Sequence, residues 1–530
     1  MVESILWSVG LRTTQVAVEA SMTLLCGLII AGVMRRMLGV EGIRNLFGAN
    51  GSNGLFRAWA VGLVLPVCSV GVIPIAYEMR RAGVRSGTIL AYVLAAPHVN
   101  PLSLLYGLTL SEPQVIICYA IASLLLALGA GYLWDRYFDR SSDYPATLQE
   151  PMPAPGPKRL LAVLTTAGQQ AIHPMMGFAI IGVLFTGLLS GLLPHGCLSL
   201  TMRHDDPISP TLMTLISMPL YSGPLQGMMR IGLMFEHGNS VGAGFSLFEL
   251  GIGVNIGLIC WLAMMFGWKR VLIWFAILAI ATLGIGYAME NPLYFAHEEA
   301  THTHAFDDWT SPFDTSFVPN WEFIRGKLKD KAGALELVSL AVMGSLMLLG
   351  GLLRLVDPQR RLDAWLTKAP PAGEVIASKY DLILPKSVLI AVSIAGLLIF
   401  SAIATYTFYP AVNEAFEQIA MVRTEAISAV RTGNREEGIR QLEHWDLLTR
   451  KLQVGQMIRT FRYDAEAAKI TNDLRELIEE VRDELRADKL DEARKLLPQV
   501  EAAHRAVRAV YLGDAGTPPA PVLPTTPASE

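Results

Sequence analysis

Cys68 and Ser69 lie between Pro66 and Pro74 in the apolar run LPVCSVGVIP. Two prolines so close break a helix and leave backbone N–H and C=O groups without intrahelical partners. Lipid cannot satisfy such groups, so a broken segment survives at membrane depth only where protein or a water-filled cavity covers it. The freed groups and half-helix dipoles then face whatever fills the cavity. Consecutive N–H groups suit an anion or a polarised substrate, and the Cys68 thiol suits a soft, thiophilic atom. An inert buried cysteine is the alternative. Asn100 and Asn255 each bring an amide into an apolar segment, either as lining of the same site or as interhelical hydrogen-bond partners. Glu19, His98 and Glu249 are ionisable within apolar segments, where charge is expensive and proton coupling is a natural role; a neutral, buried carboxyl or a packing histidine is the other reading. Glu249 precedes Asn255 by six positions, which directs the two side chains to opposite faces of one helix.

A second cluster of donors is of a different kind. His297, His302 and His304, with Glu298, Glu299, Asp307 and Asp308, form a loop rich in imidazole and carboxylate, and His204-Asp205-Asp206 falls on the same expected side. That donor set suits zinc or copper, although no fixed spacing of a structural site is present. A solvated acidic loop is the alternative.

These residues need elements to hold them, and the composition says which. Hydrophobic residues make up 52% of the 530, only 17% are charged, the mean hydropathy is +0.39 and the net charge is −4. The chain is therefore expected to be an all-α polytopic membrane protein, with no reason to expect a nucleic-acid partner. Five cysteines without CxxC spacing exclude a disulfide framework or structural zinc site from the expectation. No P-loop, CxxCH or HExxH pattern is present, so no cofactor and no enzymatic activity are expected. The start, MVESILWSVGLR, lacks the basic flank and cleavage site of a signal peptide and reads as an interfacial helix.

Eight crossings are expected, near 14–34, 87–110, 113–134, 172–193, 240–266, 270–289, 335–356 and 387–408. Two further apolar runs, 56–79 and 211–235, carry the Pro/Gly interruptions. If both dip in and return, the basic pairs Arg35-Arg36, Arg80-Arg81, Lys158-Arg159, Lys269-Arg270 and Arg360-Arg361 share one side of the membrane. Both termini are then extracytoplasmic, in a multi-pass protein of the plasma (inner) membrane.

An internal repeat supports this plan. Gly242 follows Gly87, and Asn255 follows Asn100, by the same 155 residues, while Pro219 and Ser222 follow Pro66 and Ser69 by 153. Each copy holds three crossings and one re-entrant segment; the odd number makes the copies inverted. The domains are expected at 1–140 (repeat 1), 141–169 (a cytoplasmic Pro-rich linker), 170–289 (repeat 2), 290–334 (the acidic His-bearing extracytoplasmic loop), 335–410 (two more transmembrane helices), 411–513 (a soluble, extracytoplasmic helical bundle) and 514–530 (a disordered tail). Within the bundle, turns are expected near Gly433-Asn434 and Asp488, 55 positions apart in a weak duplication.

From Glu19 to Leu110 the segments EASMTLLCGLIIAGVM and LPVCSVGVIPIAYEMRRAGVRSGTILAYVLAAPHVNPLSLL resemble the predicted permeases that include the ArsP-type organoarsenical efflux permeases and the YraQ-type proteins. The second half, MPLYSGPLQG to GVNIG, matches in outline only, and the resemblance covers roughly 14–289. It implies a permease of a small solute or a metalloid- or metal-related substrate, working in efflux through a midplane site. The implied pathway positions are Pro66, Cys68, Ser69, Gly71, Pro74 and Asn100, with Pro219, Ser222 and Asn255 as weaker counterparts and His98 beside them. Val70 stands where the family often has a second cysteine, and the second broken segment has no thiol, which weakens a two-thiolate grip on arsenic. The competing expectation is a membrane-embedded scaffold or sensor whose bundle recruits an extracytoplasmic protein partner.

Overall fold

The computed structural model describes residues 2–48, 53–98, 113–139, 152–153, 156–236, 238–294, 305–313, 321–368, 402, 406, 409–460, 462 and 464–512. Asn100, the histidines at 297, 302 and 304, and nearly all of the expected span 387–408 lie outside them. The described residues are helical apart from turns and one isolated bridge, Arg203 to Asn239. The chain divides into two units: one of residues 1–295 and 299–391, the other of 296–298 and 392–530.

The first unit opens with α1 (Val2–Val33), a π-helical turn (Met34–Leu38) and α2 (Gly39–Phe47). Helix α3 (Asn53–Val64) and α4 (Val72–Arg81) flank the first break; α5 (Ser86–His98) and α6 (Pro113–Tyr137) follow. Then come α7 (Pro157–Ala171), α8 (Met176–Leu192), α9 (Ser209–Ser217), α10 (Pro224–Glu236), α11 (Val241–Ser246) with a π-turn (Leu247–Ile252), α12 (Ile256–Phe266) and α13 (Trp268–Leu293). Beyond these lie α14 (Trp321–Lys331), α15 (Ala334–Val356) and α16 (Arg361–Leu366).

Among the described residues, four continuous helical stretches are long and apolar enough to cross a membrane: Glu3–Phe47, Gln114–Tyr137, Trp268–Leu293 and Ala334–Val356. Two bent pairs pass the same test together, α7 with α8 at 53° and α11 and its π-turn with α12 at 57°. Two sequence expectations change here. The segment 157–171, expected in the linker, is helix α7, whose buried face of Ala162, Thr166, Ala167 and Gln170 is masked in the sequence by small and polar residues. The run 240–266 is two helices, because Asn255 leaves the helix in extended backbone and starts α12 by accepting from Leu258 N at 3.0 Å.

Small residues set the packing. A Cβ at Gly187 or Gly191, one turn apart on α8, would strike Thr13 and Val9 of α1, so these two helices meet at backbone distance. Helices α7 and α15 close up the same way at Gly168 and Gly350. Two further contacts recur at equivalent positions. A Cβ at Gly87 meets the carbonyl of Gly131, and one at Gly242 meets that of Gly286. Asp135 accepts from Gly87 N at 2.8 Å, and Glu290 accepts from Gly242 N at 2.6 Å. Every member of the second set follows its counterpart by 155 residues, so carboxylates on α6 and α13 hold the helix starts of α5 and α11 identically, against the positive dipole ends.

The second unit contains α17 (Val412–Thr432), α18 (Arg435–Thr460), α19 (Ala465–Arg486) and α20 (Leu490–Leu512) around a core that includes Ile419, Trp445, Leu474, Ile478 and Val500. Turns fall at Gly433 (φ 83°) and Asp488 (φ 62°), equivalent positions of the weak duplication; both need the left-handed region that Gly, and next Asp, tolerate. His504 is packed edge-on against Trp445 at 5.5 Å, and burial pushes its imidazole down to about 4.

Candidate functional site

At the first break, residues 65–71 leave the helix between α3 and α4. Pro66 has no N–H to lose, and Pro74 falls in the first turn of α4, where a missing donor costs nothing. Val72 N rejoins the chain at Cys68 O (2.9 Å), and Gly71 N lies 3.4 Å from Cys68 Sγ. Cys68 and Ser69 are fully buried. Gly71 is fixed by neighbours: a Cβ on it would press on Thr23 O of α1, and one on Gly27 would strike Gly71 O.

The second break, residues 218–223, runs between α9 and α10. Pro219 and Pro224 bracket it. Tyr221 N donates to Thr186 Oγ1 at 2.8 Å, Ser222 N to Gly251 O at 3.0 Å, and Gly223 N to the Glu19 carboxylate at 2.5 Å. Ser222 is fully buried and its Oγ accepts from Arg230 Nη1 at 2.5 Å. Three consecutive freed N–H groups thus each have an acceptor from another element, as burial requires.

The two breaks are brought together. Asn255, at the third interruption, donates Nδ2 to Ser69 Oγ at 2.9 Å, so one amide starts α12 and anchors the first break. The Tyr221 hydroxyl lies beside the Cys68 thiol. Tyr221 follows Cys68 by 153 residues, the offset of the two breaks, so each meets its own counterpart. His98 does the same: a Cβ on Gly253, 155 residues later, would sit 2.9 Å from His98 Nδ1.

Of the three ionisable residues singled out above, His98 and Glu249 meet and Glu19 does not join them. His98 Nε2 hydrogen-bonds Ser123 Oγ and lies 3.5 Å from Glu249 Oε2, with Phe248 edge-on at 4.9 Å. Both partners are wholly buried, and Glu249 sits on the π-turn, an irregularity frequent at functional positions. Glu19 serves the second break instead. Glu249 and Asn255 address different partners, but not as opposite faces of one helix: Glu249 is on the π-turn, and Asn255 lies beyond it in extended backbone at the start of α12.

Two charged clusters flank the breaks, and sequence reasoning passed over most of their members. In one, Glu78 accepts from Gln170 at 2.7 Å and pairs with Arg81 (3.1 Å) and Arg35 (3.9 Å). In the other, Asp308 pairs with Lys331 (2.5 Å), Arg12 (3.6 Å) and Arg230 (3.7 Å), while Arg12 also donates to Gln15 at 2.9 Å. Gln15 and Gln170 are 155 apart. Burial raises the Asp308 carboxyl, but Arg230 and Lys331, with Arg12, outweigh it and hold it below the usual carboxylate range. The available signal was a single Arg230 and Glu78 inside apolar stretches, where an ionisable group marks function by default.

His204 is engaged by Glu290 (2.6 Å) and stacked on Tyr294 (3.3 Å). Among the described residues no group of three or more His, Cys, Asp or Glu is placed to hold a metal ion. The expected ligands His297, His302 and His304 lie outside them. A cleft of 460 Å³ opens between the α7–α8 bend and the end of α15, lined by Gln169, His173, Arg354, Asp357 and Arg360 among others. His173 stacks obliquely on Tyr77, the neighbour of Glu78, at 5.2 Å.

No solved structure matches the chain. The UPF0718 protein YcgR of Bacillus subtilis (strain 168) is 28% identical over 89 residues, which is 17% of this chain and 30% of that protein, so the chain spans less than a third of that relative in the match. The profile of the ArsP_1 family, described as a predicted permease, matches residues 11–291, from the first turns of α1 to the end of α13. With broken apolar helices packed around buried polar tips over that same stretch, the chain belongs to this predicted-permease family, as a protein with several helices fit to cross a membrane.

Proposed function

We propose that the protein moves a small solute outward across the plasma (inner) membrane through a midplane site between the two breaks. The observation that carries this is the crowding of the interruptions: Asn255, at the third, bonds Ser69 of the first break, and Tyr221 of the second lies beside its own counterpart Cys68. The duplicated contacts at Gly87–Asp135 and Gly242–Glu290 support an inverted repeat around that point. In this reading α3–α4 and α9–α10 are re-entrant, both termini are extracytoplasmic, and the bundle is an accessory module on the outer side. Cys68, Ser69, Asn255 and Ser222 line the route, with Pro66, Gly71, Pro74 and Pro219 shaping it; Asn100 is proposed as the counterpart of Asn255. Glu19 and the His98–Glu249 pair are the proton-coupling groups.

The tips are closed to solvent, so passage requires the two flanking clusters to open in turn. Glu78 with Arg35, Arg81 and Gln170 closes the cytoplasmic side. Asp308 with Arg12, Arg230 and Lys331 closes the outer side. Flux into inside-out vesicles tests the proposal, with a methylated trivalent arsenical and a panel of anions as probes. Cys68→Ser combined with Asn255→Gln is expected to lower flux at least tenfold while the protein remains folded; unchanged flux removes the route from between the breaks. A cysteine at Arg81 that is labelled from outside intact cells removes the topology.

A further inference from the structure

Arg230 is an incompletely satisfied buried cation beside the second break. It is 5% exposed, and among the described residues its Nε has no acceptor. A buried donor without an acceptor is costly. Its other nitrogens reach Ser222 Oγ at 2.5 Å and Asp308 at 3.7 Å, and its face lies 4.9 Å from the Trp309 ring. Asp308 cannot serve it fully, because the same carboxylate takes Lys331 at 2.5 Å and Arg12 at 3.6 Å. Arg12 is otherwise provided for, by the Thr310 and Asp307 carbonyls, by Gln15 and by the Asp307 charge.

Next to Arg230 the positive end of α10 presents Gly223 N, and the Glu19 carboxylate already occupies it at 2.5 Å. A carboxylate of the protein thus holds a position built for an anion, beside a guanidinium whose Nε lacks an acceptor among the described residues. The approach to it is graded: Lys331 and Asp308 are 33% and 31% exposed, against 6% for the Arg230 side chain. On the opposite side Arg35 and Arg81 converge on the single carboxylate of Glu78. The adjoining cleft offers His173, Arg354 and Arg360, while its one carboxylate, Asp357, is spent on Arg361 N and Leu362 N at 2.8 and 2.7 Å.

We propose that the transported solute is a small anion, and that Arg230 selects it by pairing with its charged group at the position Glu19 now holds on Gly223 N. This rests on the route between the breaks proposed above. The anion and the Glu19 carboxylate compete for one N–H, so entry of the anion displaces or protonates Glu19.

The test uses the full chain in neutral detergent, with thermal unfolding followed against sulfate, inorganic phosphate, methylphosphonate and acetate at matched ionic strength, and choline chloride as the salt control. At least one anion is expected to stabilise the protein saturably at low concentration, which separates binding from the general effect of excluded salts. Arg230→Gln is expected to weaken the apparent Kd at least tenfold, and Arg230→Lys less. Glu19→Gln keeps an acceptor for Gly223 N but removes the competing charge, and is expected to tighten binding severalfold. Opposite signs are the signature, because residues that only supported the fold would both weaken it. If Arg230→Gln does not fold, Glu19→Gln and the wild-type saturation still decide. No saturable anion, or weaker binding in Glu19→Gln, overturns the inference. Flux of a neutral or cationic probe without anion binding keeps the route and rejects the anion; anion binding without flux in proteoliposomes keeps the anion site and rejects the route.

Discussion

The first and second breaks share a backbone device and differ in the charge around it. At 65–71 the lining is neutral: Cys68, Ser69 and the Asn255 amide. At 218–223 the equivalent serine, Ser222, takes a guanidinium, and the next N–H takes a carboxylate. Proline, small residues and a buried serine suffice to interrupt a helix and turn its polar groups inward. What those groups then face is decided by residues far away in the chain. The difference teaches that the shape of the site is duplicated while its chemistry is not.

The sharpest way to break this comparison is to spoil the backbone approach on one side only. Gly27→Ala places a methyl against Gly71 O, where a carbonyl rather than a flexible side chain must yield. A loss of about 3 kcal/mol or more is expected, read as a failure of the purified protein to give a cooperative melt. Gly182→Ala presses on Asn255 Oδ1, which can yield only by giving up its bond from Leu258 N, so its loss should be smaller, about that of a lost cap. Equal losses would remove the distinction between a break held by backbone and one held by a side chain.

Asn255→Ala comes next, because it removes the α12 cap and strands Ser69 together. About 2–3 kcal/mol is expected, combining a cap and a buried unpaired hydroxyl, and thermal unfolding measures it. Ser69→Ala should cost about 1 kcal/mol, and in a double-mutant cycle the two should be strongly non-additive. Additive losses would mean that the two positions do not communicate.

The smallest effect concerns pH, and it belongs to the second break alone. Asp308 is held below the ordinary carboxylate value, so the folded form keeps it ionised where the unfolded chain has begun to protonate it. The unfolded state binds more protons in that window, and stability rises with pH through it. The contribution is complete above about pH 4, the usual aspartate range, and is lost as pH falls through the lowered folded value. Partial exposure of Asp308 keeps it modest. Asp308→Asn should flatten the acid limb of the unfolding temperature, with no change in cross-linking between Cys68 and a cysteine placed at Ser222. An unaltered acid limb would separate Asp308 from Arg12, Arg230 and Lys331.

The bundle supplies a pH reference in the same chain. His504, lowered to about 4 by burial first and then by Arg423 and Arg508, is neutral when folded over a range in which the unfolded chain is protonated. Stability of the second unit is expected to fall as pH drops through about 6.5, the ordinary histidine value, and to level off near 4. His504→Phe should reduce that dependence in a denaturant titration, leaving the part that belongs to His444, whose imidazole is also lowered, by burial first and then by Lys451.

The breaks were legible because proline and small residues in an apolar run have few structural uses. The repeat was legible because Gly87 and Gly242 must stay glycine where helices touch. Helix α7 was hidden because the face it buries against α1 and α15 is made of Ala, Thr and Gln, which carry little hydropathy. The cluster around Asp308 was hidden for a topological reason. Arg12 bonds Thr310 O, 298 residues away, and Glu19 bonds Gly223 N, 204 away, and no local spacing announces such pairs. The family profile ends at 291, so Asp308 and Lys331 lie beyond the part of the chain that resemblance could inform.

The encounters of Cys68 with Tyr221 and of His98 with Gly253 bear on how such a chain arose. In a symmetric homodimer a residue on the two-fold axis faces an identical copy of itself, so any substitution there is made twice. Two histidines or two tyrosines would collide where one of each now fits beside a glycine or a cysteine. Under the inverted-repeat reading proposed above, a single polypeptide lifts that constraint, and these are the positions at which it gains most from carrying two different residues.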